Sequence, residues 1–97
     1  MIDVRFHPEA QDEYDAALIW YRARSARAAR RFEIEIESVL GQIGANPDFF
    51  PMYDDEHRFA LLRRYPYSIV FQTRHECVYI IAVAHSSRSP GYWEDRE

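Results

Sequence analysis

Ninety-seven residues, 47% apolar and 15% aromatic, suffice for one hydrophobic core and not for two, so residues 1–97 read as a single globular domain. A net charge of −4 argues against a chain-wide electrostatic grip on nucleic acid, and no direct sequence-specific DNA binding is expected. All twelve basic residues are arginine, which excludes lysine chemistry and makes every basic contact a planar guanidinium suited to carboxylate or phosphate.

Ile2, Val4 and Phe6 alternate with polar residues, predicting a strand over residues 2–7. No basic stretch followed by an apolar one opens the chain, so no signal peptide is expected. Pro8 suits the first turn of a helix, and Glu9, Asp12 and Glu13 suit its N-terminal dipole. Ala10, Tyr14, Ala17, Leu18 and Tyr21 carry that helix to about Arg24. Ser25 caps a second helix whose stripe is Ala28 or Ala29, Phe32, Ile36, Val39, Leu40 and Ile43, ending between residues 44 and 47. So short a junction predicts an antiparallel helical hairpin. Arg22, Arg24, Arg27, Arg30 and Arg31 cluster at the junction, between acidic runs, and read as solvated helix faces. Arg31 and Glu35 are spaced to form a helix ion pair.

Residues 46–57, polar and carrying Pro47 and Pro51, read as a loop. Three strands follow at residues 58–63, 67–73 and 77–84, with Arg74-His75 closing a hairpin between the last two. The lone Cys77 has no internal disulfide partner, which fits a reducing cytoplasm, and it reads as structural. No apolar run approaches the roughly eighteen residues of a membrane span. The fold class is α+β, in the order βααβββ: a helical hairpin packed on a mostly antiparallel four-stranded sheet.

The last apolar run stops at His85 and is followed by Arg88, Pro90-Gly91 and Tyr92-Trp93. Loops at the end of a rigid sheet are where functional side chains gather. The alternative is a tail that packs its two aromatics back on the fold.

Several segments carry a resemblance. They are Phe6-His7-Pro8-Glu9-Ala10, Trp20-Tyr21, Asn46-Pro47 and Phe50-Pro51, then the run from Leu62 to Phe71, Ala82-Val83-Ala84-His85 and Arg88 to Trp93. In this order they resemble the RelE/ParE superfamily of toxins from bacterial type II toxin–antitoxin modules, often labelled plasmid stabilisation proteins. The resemblance covers nearly the whole chain. It implies a cytoplasmic growth inhibitor neutralised by a cognate antitoxin, with no cofactor and no metal.

Two activities occur in that superfamily. RelE-like ribonucleases cut messenger RNA on the ribosome, using basic residues on the second strand, arginines early in the third and past the fourth, and a tail tyrosine. Laid on this chain, those places fall on Phe59, Leu61, Ser68 and Ser86, and only the tyrosine is matched, by Tyr92. Other ribonuclease branches place a histidine where His85 stands, and Arg88 with Arg63 or Arg64 would then hold phosphate. ParE-like toxins poison DNA gyrase through a protein-binding surface and need no catalytic set. The acidic balance and the missing basic cluster favour this reading. Arg63, Arg64 and Trp93 are then candidates for contact with target or antitoxin. A third reading is a non-toxic binding relative in which His85, Arg88, Tyr92 and Trp93 only pack the tail.

Overall fold

A computed structural model of the chain describes residues 2–97. Strand β1 (Asp3–Phe6) leads into helices α1 (Pro8–Arg24) and α2 (Ala26–Ala45) and a 3-10 turn at Pro47–Phe49. Strands β2 (Arg58–Leu61), β3 (Tyr67–Arg74) and β4 (Cys77–His85) follow. The sheet order is β1-β4-β3-β2, and only the β1–β4 pair is parallel. The α+β class and the βααβββ order are therefore those read from the sequence.

Local chemistry sets the helix ends. His7 Nδ1 accepts from the Glu9 amide at 3.0 Å, and Pro8 sits where a helix needs no N–H. Ser25 ends one helix and starts the next. Its amide donates to Tyr21 O at 2.8 Å while its Oγ accepts from the Ala28 amide at 3.1 Å. One extended residue thus reverses the chain, and the hairpin arms pack on each other. Ala29, Phe32, Ile36, Leu40 and Ile43 of α2 are buried with Ala10, Tyr14 and Ala17 of α1. Phe32 is fully enclosed by Tyr14, Tyr21, Tyr65 and Tyr67 at ring separations of 5.1–6.1 Å. The Arg31–Glu35 pair does not form, because Glu35 turns to the amides of Arg63 and Arg64.

The β3–β4 turn falls on His75-Glu76, one residue later than expected, and both residues are left-handed (φ 47° and 65°). That is the backbone of a tight two-residue hairpin turn. Val70 faces Ala82 but Phe71 faces Ile80, so Ile81 is an extra residue in β4. Val78, Ile80 and Val83 pack toward the helices, whereas Ile81 and Ala82 join Val70 and Trp93 on the other face. Both faces of β4 are therefore buried, the second by the C-terminal tail. Residues 46–57 hold more order than a loop reading suggests. Met52 bridges to Arg58, and His57 is 3% exposed. Among the described residues, no helix is long and apolar enough to cross a membrane.

Candidate functional site

β1 ends at Phe6, where the His7 amide closes the pairing on Ile80 O at 2.8 Å. β4 continues to His85, so its outer edge past Ile80 has no neighbouring strand. Unpaired backbone groups there would be costly. Glu13 and Arg96 take them up: Val83 N donates to Glu13 Oε1 at 3.0 Å, and Arg96 Nη1 donates to Ile81 O at 3.0 Å. Arg96 also grips Glu13 through two bonds of 2.9 Å. Burial pushes the Glu13 carboxyl up, but hydrogen bonds from Arg96, Tyr92 and the Val83 amide outweigh it and hold the group below its ordinary value.

This knot determines what the tail residues can do. Tyr92 donates its hydroxyl to Glu13 Oε2 at 2.6 Å. Burial and that bond push the phenol well above its ordinary value, so it is held protonated. The Arg88 guanidinium lies 3.8 Å from the Tyr92 ring centre and 3.8 Å from Glu13 Oε2. His85 packs edge-on against Tyr67 at 5.0 Å, and its Nδ1 accepts from the Ser87 amide at 3.0 Å. Trp93 is buried at 3% exposure, beneath the surface rather than on it. It packs edge-on against His57 at 4.7 Å and Tyr53 at 5.0 Å.

His85, Arg88, Tyr92 and Trp93 all border a cavity of about 260 Å³ on the sheet face opposite the helices. Phe59, Leu61, Ser68 and Ser86 border it too, so every position laid on the ribonuclease pattern converges in space. Those four side chains are apolar or hydroxylic, and the basic groups on the wall are the His85 imidazole and the Arg88 guanidinium. Arg88 is the one guanidinium on its wall, and it is already stacked and paired. Transesterification needs a base, an acid and cations placed around phosphate. Here the cavity offers instead an apolar rim with Leu61 66% exposed and Tyr53 43% exposed. Arg63 and Arg64 stand elsewhere, beside Arg31 on the outer side of α2. Among the described residues, no three His, Cys, Asp or Glu side chains group as metal ligands.

Three participants escape a reading of the sequence. Glu13 looks like an ordinary helix-dipole acid, and Arg96 lies 83 residues from it in the chain. Their opposite charges are the only shared signal. His57 sits in a polar stretch, yet its Nδ1 lies 2.9 Å from Asp54 Oδ1 and its Nε2 3.1 Å from the Gln72 amide nitrogen. With both ring nitrogens occupied and the ring buried, it anchors loop and tail to β3.

Residues 4–90 match the family model described as the ParE toxin of the type II toxin–antitoxin system, parDE. A solved structure entitled "Chromosomal ParDE TA system from P. aeruginosa" has a similar fold, with a TM-score of 0.75 and 17% identity. The similarity covers 88% of this chain and 96% of that one. No curated protein matches. The family match runs from β1 through Pro90 and so takes in both helices, all four strands and His85 with Arg88. The chain belongs to the ParE toxin family of type II toxin–antitoxin systems.

Proposed function

We propose that this toxin inhibits growth by poisoning DNA gyrase through a protein-binding surface, and that a cognate antitoxin neutralises it in the cytoplasm. The observation that carries the reading is the cavity on the sheet face opposite the helices, beside the tail. At the places where ribonucleases carry bases and acids, it presents Phe59, Leu61, Ser68 and Ser86. An apolar rim with exposed Leu61 and Tyr53 suits contact with another protein. Arg88 and Tyr92 complete that rim, and Trp93 supports it from beneath. Arg63 and Arg64 belong to a second, separate surface.

The test pairs a gyrase supercoiling assay with cleavage of ribosome-bound messenger RNA, using wild type and His85→Ala. Supercoiling inhibition by both proteins is the expected result, with folding of the variant checked by its thermal midpoint. If wild type instead cleaves the messenger and His85→Ala loses that cleavage by roughly 10²–10⁴-fold, the chain is a ribonuclease.

A further inference from the structure

Arginines are unevenly satisfied across the molecule. Arg5, Arg58, Arg88 and Arg96 each have a carboxylate oxygen within 4.0 Å. Among the described residues, the five arginines between positions 22 and 31 have none, and neither do Arg63 and Arg64. These unpaired guanidinium groups share one end of the molecule. The Tyr65 hydroxyl donates to Ala28 O at 3.0 Å and so ties the β2–β3 loop to the first turns of α2.

Glu35 is the carboxylate best placed to neutralise them, and it is otherwise engaged. Its Oε2 accepts from the amides of Arg63 and Arg64, the second at 3.4 Å. The loop backbone is thereby pinned while both arginine side chains stay exposed. With Arg31, Ile34, Glu35 and Ser38 they border a groove of about 560 Å³. Ile34 is 57% exposed there. Three guanidinium groups against the one carboxylate of Glu35 make the groove a local positive patch on an acidic chain, with an aliphatic contact point.

We infer that the groove docks an acidic segment of a partner protein, with carboxylates against Arg31, Arg63 and Arg64 and one aliphatic side chain against Ile34. Guanidinium forks match carboxylates bidentately. An exposed isoleucine offers nothing to a phosphodiester backbone and rewards a protein side chain, which favours peptide over nucleic acid. The inference holds whichever target the toxin attacks.

The measurement is fluorescence anisotropy with three labelled probes: a short peptide of glutamates flanking one leucine, an all-glutamate peptide of equal length, and a DNA duplex. The full-length chain should bind the leucine peptide about tenfold more tightly than the all-glutamate peptide. Arg63→Glu combined with Arg64→Glu should weaken that binding at least about tenfold, as should Ile34→Asp. Thermal midpoints check that the variants fold, and Arg31→Gln, a milder change at an exposed position, serves if they do not. The inference is overturned if the two peptides bind alike, if DNA binds best, if the variants bind unchanged, or if wild type binds neither peptide. Self-association of the chain that the same reversals abolish would also overturn it, since the groove would then serve a second copy.

Discussion

Glu13 accepts four hydrogen bonds, from Val83 N, the Tyr92 hydroxyl and two nitrogens of Arg96. A carboxylate so placed is bound more strongly in its charged form, which is why it titrates below the ordinary value of 4.5. The sign of the linkage follows. Its contribution to stability is full above pH 4.5, where the unfolded group is also ionised, and is lost as pH falls through the lowered folded value. Glu13→Gln leaves the enclosed Arg96 with only the more distant and exposed Glu9 carboxylate, at 3.7 Å, as counter-charge, and at neutral pH should lose about 3 kcal/mol in urea unfolding. The gap to wild type should close in acid. A gap that stays constant with pH would assign the loss to shape rather than charge. The same knot bears on Tyr92. A phenol donating to a carboxylate and pushed up in pKa is poorly placed to pass a proton to a leaving group.

At the scale of elements, the sequence was legible wherever the signal was local. Ser25 was readable as a cap because the groups it binds lie three or four residues away. The stripe from Ala29 to Ile43 was readable because one helix face repeats at a fixed period. The β3–β4 hairpin is readable as two β-rich runs, but the sequence places its turn one residue early because no Gly or Asn marks the left-handed positions His75 and Glu76. Both now hold positive φ, and neither side chain makes a hydrogen bond among the described residues. Replacing them with Asn-Gly (His75→Asn with Glu76→Gly) should raise stability by about 1 kcal/mol in urea unfolding. An unchanged or lower midpoint would show that the turn is held by something other than its backbone preference. The expected Arg31–Glu35 pair failed for a different reason: two loop amides compete for the same carboxylate, and no helical spacing encodes the loop's position.

The whole molecule is a sheet covered on one face by the helical hairpin and on the other by its own tail. Trp93 closes that second face over Val70, Ile81 and Ala82. Trp93→Ala should therefore lose about 3–5 kcal/mol, read from the urea midpoint. A loss below about 1 kcal/mol would show the tail resting on the fold without completing its core. Charge is arranged at this scale too. The paired arginines fasten strands, loop and tail, while the unpaired ones among the described residues, Arg74 at the end of β3 apart, collect where the helices turn and the β2–β3 loop arrives.

Element order, the helical hairpin and the α+β class are properties of the sequence alone, because caps and periodicities act within a few residues. The family resemblance also lay in the linear order of short segments, and residues 4–90 match the ParE family. Tertiary structure alone decided that β1 lies beside β4 and spans only part of it, four residues against nine. The bare edge that results is what draws Glu13 and Arg96 together across 83 residues of chain. It also decided that Phe59, Leu61, Ser68 and Ser86 meet His85, Arg88 and Tyr92 in one cavity while Arg63 and Arg64 stand apart from it. Such meetings depend on strand register and on which backbone groups are left unpaired, and neither is written in any window of the sequence.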